Sequence, residues 1–185
     1  MKSKILTLGI IALMLVSGLG IISVLAAPPG DTLVDVAVAV NSSGPYSGSF
    51  DTLIAAVTAT PSVASILVGN GQRTVFAPTD DAFVALAAEL EFEDVDELVS
   101  FLLANPDYLE DVLLYHIAHG RLYAEDVLPK DRVNTLIRGK KGFLMQDGGV
   151  LTDNLGRTAN IIVTDVEAAN GIIHVIDAVV VPYLP

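Results

Sequence analysis

The first half of the chain carries apolar residues at the spacing of amphipathic helices. Phe50, Leu53, Ile54 and Val57 stand at i, i+3, i+4 and i+7, which predicts a helix over Phe50–Ala59. The other elements predicted in this half are Leu33–Val40 as strand or helix, a short helix over Val63–Val68, a strand over Arg73–Ala77, and helices that begin at Thr79 or Asp80, at Asp94 and at Asn105-Pro106.

Beyond Gly120 the pattern changes to short apolar runs separated by glycines. Asn170-Gly171 is the strongest turn signal, because this pair favours tight hairpins. The candidate strands are Val133–Ile137, Phe143–Gln146, Val150–Thr152, Asn160–Thr164, Ile172–Ile176 and Ala178–Val181. Helices followed by strands indicate a single α+β domain.

The N-terminus has the pattern of an export signal. Lys2 and Lys4 precede an uncharged, mostly apolar run at 5–25, and small residues then favour cleavage after Ala26. The run is also long enough to cross a bilayer as a helix, so a retained anchor is the alternative. We therefore expect a signal peptide or anchor at 1–26, a linker at 27–32 and one domain at 33–183.

The composition excludes several kinds of chemistry. The formal net charge is −12 at pH 7, whereas nucleic-acid binding requires clustered cations, so no nucleic-acid partner is expected. The absence of cysteine excludes thiol catalysis and cysteine-ligated zinc. The chain also lacks a Gly-x-Ser-x-Gly elbow, a phosphate-binding loop and a His-Glu-x-x-His motif. We therefore expect no catalysis and no cofactor.

Four segments of the predicted domain form a recognisable series. In Thr74–Phe83 a β-rich run ends at a proline, and Thr79 and Asp80 then open a helix. The other three segments are Leu114-Tyr115-His116 followed by Gly120 and Arg121, the turn at Asp165–Gly171, and the apolar run Gly171–Pro182. In this order they resemble the segments of the fasciclin domain family, over about Leu33 to Pro182.

The resemblance implies both a fold and a function. The implied fold is an α+β wedge, a β-sandwich of two packed sheets with helices wrapped on one side. The implied function is adhesion or binding at the cell surface or after secretion, with protein, matrix or polysaccharide partners and membrane contact only through an uncleaved N-terminal segment. In animal members the Tyr-His segment has been linked to integrin contact, which makes Tyr115 and His116 the candidate contact residues. The chain departs from the family in its longer loop at 41–49, in His119 and in lacking Arg-Gly-Asp.

The position of each motif residue favours a structural role for most of them. His174 shares a strand face with Ile172 and Ile176, so we expect a buried imidazole that finds hydrogen-bond partners. Asp177 lies on the opposite face and is expected to support a turn or a bridge between the last two strands. Thr79 and Asp80 are expected to serve folding as well.

The helix predicted over Pro106–Ile117 leaves two readings open. His116 falls on its apolar stripe and Tyr115 at the edge of that stripe, which allows packing or partner contact. His116 and His119 have i, i+3 spacing and, with His174, could ligate zinc or copper. Helix capping near Gly120 explains His119 without a metal.

Two further binding hypotheses remain. The runner-up function is a secreted carrier of a lipid-like or hydrophobic ligand, held in an apolar cleft between the helices and the sheet. Arg138, Lys140 and Lys141 form the densest cationic cluster of the chain. This cluster is either a solvated turn or a site for an acidic glycan or a phospholipid headgroup.

Overall fold

A computed structural model describes residues 30–139 and 142–185. The predicted signal peptide or anchor at 1–26, and Lys140 and Lys141, lie outside the described residues. Within the described part, helices dominate the first half and strands the second. The α+β pattern expected from the sequence is therefore present.

The helices begin where the sequence supplies capping groups. They are α1 (Leu33–Ser42), α2 (Asp51–Thr58), α3 (Pro61–Val68), α4 (Asp80–Glu89), α5 (Val95–Ala104), α6 (Pro106–Tyr115) and α7 (Ala124–Val127). Thr32 and Asp35 form a capping box on α1, which settles the strand-or-helix alternative for this segment. Asp94 accepts a hydrogen bond from the Glu97 N–H and so caps α5.

No single described helix is both long and apolar enough to cross a membrane. Helices α2 and α3 pass such a test of length and composition only as a pair, and they are bent by 105° at their junction.

The strands form one continuous sheet in the described part of the chain. They are β1 (Arg73–Pro78), β2 (Ile117–His119), β3 (Arg132–Asn134), β4 (Phe143–Asp147), β5 (Val150–Thr152), β6 (Thr158–Ala168) and β7 (Gly171–Ile176). The order across the sheet is β2-β1-β7-β6-β5-β4-β3. Strands β1 and β7 are parallel, and the other neighbouring pairs are antiparallel.

The two ends of this sheet approach each other and nearly close it into a barrel. Ala118 in β2 forms an isolated bridge with Thr135, just beyond β3, and the Leu136 N–H donates to the Ile117 carbonyl at 2.7 Å. The expected sandwich of two separate sheets is corrected by this geometry. Strand β6 has register shifts that bend it, and it pairs on both sides, so the two halves remain hydrogen-bonded as one sheet.

Alternation along β1 directs side chains into two cores. Val75 and Ala77 face the helices, whereas Phe76 faces the interior of the barrel. The barrel core contains Phe76, Tyr115, Ala118, Val127, Val133, Leu144, Leu151, Ala159, Ile176 and Val180. The helices therefore cover the outer face of the central strands, on one side of the sheet.

The turn between β6 and β7 joins several elements at once. The side chain of Asn170 accepts the first N–H of α1 at 2.8 Å and donates to the carbonyls of Leu67 and Gly69 at the end of α3, both at 2.7 Å. A β-carbon on Gly171 would overlap the Arg73 carbonyl of β1. The predicted Asn-Gly turn thus also fixes α1, α3 and β1.

The segment Ala178–Val181, expected as a strand, is irregular. Its N–H groups bond to side chains instead of a neighbouring strand: Val180 donates to His116 Nε2 at 3.3 Å, and Val181 donates to Asp153 Oδ2 at 3.2 Å. Helix α6 also ends earlier than expected, and the chain continues directly into β2.

Candidate functional site

Tyr115 lies inside the barrel core. Its side chain is fully buried, and its hydroxyl donates to the Phe143 carbonyl at 2.9 Å. Burial raises the pKa of this phenol above its usual value. The sequence placed Tyr115 at the edge of an apolar stripe, but the barrel packs against that edge and covers it. Contact of Tyr115 with a partner stays a prediction.

His116 is hydrogen-bonded to the backbone at both ring nitrogens. Its side chain is 3% exposed; Nδ1 donates to the Val112 carbonyl at 2.8 Å, and Nε2 accepts from the Val180 N–H. Burial lowers the pKa of His116 to about 4, so the ring is neutral at pH 7. The imidazole therefore holds the C-terminal segment on α6. Its role as a partner contact also stays a prediction.

His174 occupies the barrel side of β7 and is fully buried. Its Nε2 donates to the Leu122 carbonyl at 2.9 Å, its Nδ1 accepts from the Asp165 N–H at 3.3 Å, and its ring stacks on Phe76 with 5.7 Å between centroids. Burial lowers the pKa of this imidazole. The ring thus connects β7 with Phe76 of β1, with Leu122 in the loop after β2 and with Asp165 of β6.

Thr79 and Asp80 cap two different helices. Thr79 Oγ1 accepts from the Ala82 N–H at 3.4 Å at the start of α4. The Asp80 carboxylate instead accepts from the N–H groups of Asp51 and Thr52, at 3.1 and 2.9 Å, at the start of α2. The residue before α2 makes no side-chain capping bond, so Asp80 supplies this cap through space.

Asp177 binds one residue of β6 with both carboxylate oxygens. The N–H and the side-chain amide of Asn160 each donate to it at 2.7 Å, and the Asp177 N–H returns a bond to the Asn160 carbonyl at 3.2 Å. The carboxylate therefore bridges the end of β7 to β6.

An ion pair between the buried Asp153 and the partly exposed Arg157 was not indicated by the sequence pattern. Asp153 is 5% exposed, and its carboxylate lies 2.9 Å from Arg157 Nη2 and accepts the Val181 N–H. Arg157 also lies 3.3 Å from the carboxylate of Glu89. The two residues have i, i+4 spacing, but they lie in the loop between β5 and β6. A helical pattern in the sequence therefore could not predict their contact. Asp153 and His116 together anchor the C-terminal segment.

The three histidines give no metal-ligand set in the described structure. Both ring nitrogens of His116 and of His174 are used in hydrogen bonds within the fold, and His119 is exposed on β2. Among the residues that the structure describes, no group of three or more His, Cys, Asp or Glu could hold a metal ion.

The outer surface beside the Tyr-His segment contains an open groove, which we call the α6 groove. Its volume is about 810 Å³, and it lies between α6 and the segment 135–138. The helix contributes carboxylates, and the sheet side contributes cationic groups. The groove is lined by Ile66, Arg73, Asp107, Glu110, Asp111, Leu114, His119, Thr135, Leu136, Ile137 and Arg138.

The apolar cleft between the helices and the sheet is small. It is lined by side chains of α1, α2, α3, β1 and β7, and its volume is about 50 Å³, whereas ligand pockets typically measure about 300–1,000 Å³. A shallow apolar depression of about 390 Å³ lies between α2 and α5, beside Ala55, Val99 and Leu103. The cleft proposed for a carrier therefore lacks room for a lipid-like ligand in this conformation.

Relatives of similar length occur among bacterial proteins. Protein sll1483 of Synechocystis sp. is 37% identical over 162 residues, which span 88% of this chain and 79% of the relative. The uncharacterized protein sll1735 of the same organism is 33% identical over 131 residues, spanning 71% of this chain and 88% of the relative.

Animal proteins and a solved structure match the same domain. The transforming growth factor-beta-induced protein ig-h3 of Sus scrofa is 34% identical over 134 residues, which are 72% of this chain but 18% of that protein. A FAS1 domain pair from the insect cell adhesion molecule fasciclin I superposes with a TM-score of 0.53 at 20% identity, over 74% of this chain and 46% of that one. The family model of the Fasciclin domain matches residues 48–182. The chain therefore belongs to the fasciclin domain family.

Proposed function

We propose that this chain is an extracellular or cell-surface binding module that mediates adhesion to protein, matrix or polysaccharide partners and has no catalytic activity. Family membership supports this proposal, as does the fold shared with a domain pair from a molecule named for cell adhesion. The expected export signal at 1–26 is consistent with secretion.

The observation that carries the proposal is that the polar atoms of the motif side chains already have hydrogen-bond partners within the fold. Tyr115, His116 and His174 are buried, and each directs its polar atoms to backbone groups of the same chain. Thr79, Asp80 and Asp177 cap helices or bridge strands. Side chains whose polar atoms are hydrogen-bonded within the fold in this way stabilise the scaffold, which leaves partner recognition to the outer surface.

The carrier alternative receives less support. An apolar ligand of ordinary size requires several times the volume of the cleft of about 50 Å³ between the helices and the sheet. Native mass spectrometry of the purified protein tests this directly, because a carrier would retain a co-purified ligand. An enzyme would instead show turnover on a panel of glycans and esters.

The adhesion proposal is tested by capture from the surface fraction of the host. The immobilised protein should retain a surface protein or polysaccharide that a heat-unfolded sample does not retain. The variant His174→Gln serves as a matched control for the scaffold: its melting temperature should fall, while its partner affinity at a temperature where it is folded should change less than about twofold. If neither protein nor polysaccharide is retained above the unfolded sample, the proposed function is wrong.

A further inference from the structure

The α6 groove combines opposite charges that do not pair with each other. Asp107, Glu110 and Asp111 stand at i, i+3 and i+4, so they share one face of α6. On the sheet side, Arg73 and His119 are cross-strand partners in β1 and β2. In the described part of the chain both ion pairs are made by Arg157, so the acidic wall and the cationic wall of the groove remain apart.

Two polar groups on the sheet side also lack hydrogen-bond partners among the residues that the structure describes. Arg73 Nε and Thr135 Oγ1 are buried, and neither makes a hydrogen bond within residues 30–139 and 142–185. Thr135 is 6% exposed, and both residues line the groove. Buried polar groups are normally hydrogen-bonded, so these two atoms mark the sheet side of the groove as incomplete.

The placement of these cations matters because cations are scarce in this chain. The formal net charge is −12, and bulk electrostatics would therefore repel acidic partners. Arg73 and Arg138 nevertheless face the same groove. A partner that fits both walls must carry acidic groups on one side and basic groups on the other.

We propose that the α6 groove binds an extended peptide segment in which basic and acidic residues alternate. Successive side chains of an extended strand point to opposite sides, and residues i and i+2 lie about 6.6 Å apart. Asp107 and Asp111 are one helical turn apart, about 6 Å along the axis of α6. The basic side chains of such a segment therefore match the acidic wall, and its acidic side chains face Arg73 and Arg138.

A peptide fits this groove better than a neutral glycan does. None of the described residues that line the groove is aromatic, and the hydroxyl of Tyr183, whose ring lies beside Asp111, is already used in a hydrogen bond to that carboxylate. The apolar residues Leu114 and Leu136 line the groove between the charged walls and suit the aliphatic stems of lysine and arginine. This inference rests on the proposed function and assigns its partner surface.

The test uses the purified protein and two octapeptides of identical composition. One alternates Lys and Glu, and the other carries four Lys followed by four Glu. Both have the same net charge, so bulk attraction to an acidic protein cannot distinguish them. Binding is followed by methyl NMR of Ile66, Leu114 and Ile137, which line the groove. We expect shifts at these methyl groups, with affinity for the alternating peptide at least about tenfold higher.

Charge reversals assign the binding to the two walls. Asp107→Lys with Glu110→Lys, and separately Arg138→Glu, should each weaken the alternating peptide about tenfold. The matched controls are Glu125→Lys with Asp147→Lys, and Lys130→Glu, which make the same charge changes at exposed positions outside the groove. These controls should alter the affinity less than about twofold.

Several results would overturn the assignment. The two peptides could bind equally, or neither could bind. The groove and control charge reversals could have equal effects, or the shifts could occur at methyl groups outside the groove. A neutral glucose hexasaccharide could also bind in place of the peptides. If capture of a surface partner succeeds while the alternating peptide fails, the groove assignment is wrong and the binding module stands. If capture fails as well, the proposed function falls with it.

Discussion

Acidification should destabilise this protein through His116. The imidazole has an ordinary pKa of 6.5 in an unfolded chain, but burial lowers its pKa to about 4 in the fold; the hydrogen bond to the Val112 carbonyl raises this pKa by a smaller amount, and the charges of Arg157 and Asp153 oppose each other. Because the ring accepts the Val180 N–H at Nε2 and donates at Nδ1, a second proton would remove the acceptor that holds the C-terminal segment.

The sign and the size follow from proton linkage. Between pH 6.5 and pH 4 the unfolded chain binds a proton that the folded chain does not, so the free energy of unfolding falls as the pH falls. A fall in pKa from 6.5 to about 4 corresponds to about 3 kcal/mol at about 1.4 kcal/mol per pKa unit. About 2 kcal/mol of this should already be lost at pH 5 relative to pH 8.

The assay is urea unfolding at pH 8, 6.5 and 5 at constant ionic strength, for the natural chain and for His116→Gln. Glutamine can donate and accept hydrogen bonds without titrating, so it removes the His116 contribution but leaves those of His174 and the carboxylates. The natural chain should lose about 2 kcal/mol more than the variant between pH 8 and pH 5. Equal losses in the two proteins, or an NMR titration of His116 with a midpoint near its ordinary value, would refute the reasoning.

Three other substitutions test the scaffold, each by urea unfolding at pH 7. Asp80→Ala removes the cap that α2 receives through space and should cost about 1–2 kcal/mol, whereas the exposed neighbour Asp81→Ala should cost less than half of that; equal costs would exclude the capping role. Gly171→Ala forces β7 away from the Arg73 carbonyl and should cost at least about 3 kcal/mol or prevent folding; a neutral result would contradict this close approach. Gln146→Leu replaces a buried amide that has no hydrogen-bond partner in the described part of the chain and should stabilise by about 1–3 kcal/mol; a loss of stability would show that the amide is satisfied.

Local signals predicted most of the elements, because their causes are local. The helical spacing of Phe50, Leu53 and Val57 marks α2 in any context, and Asp94 caps α5 with a hydrogen bond that spans three residues. The Asn170-Gly171 turn was likewise predictable from its own two residues. Such features depend on backbone preferences that do not require knowledge of the rest of the fold.

Features that depend on distant contacts were not predictable in this way. Ala178–Val181 has the composition of a strand, but the acceptors that meet its N–H groups are side chains of α6 and of the β5–β6 loop. The closure of the sheet depends on the bridge between Ala118 and Thr135 and on the hydrogen bond from the Leu136 N–H to the Ile117 carbonyl. The α6 groove could not be predicted from the sequence for the same reason, because its walls come from segments far apart in the chain.

The positions of the motif residues explain why the sequence identifies the family more readily than the partner. Strands β1 and β7 are the first and the last strand along the described chain, yet they are parallel neighbours in the sheet. Joining them closes a long loop, which costs entropy before any contact is gained. Phe76 stacked on His174, and the Arg73 N–H bonded to the Asn170 carbonyl, lie along that junction. The fold therefore depends on these residues whatever the partner is. The acidic wall of the α6 groove lies on α6, outside that junction, so its residues can vary with the partner without disturbing the pairing of β1 with β7.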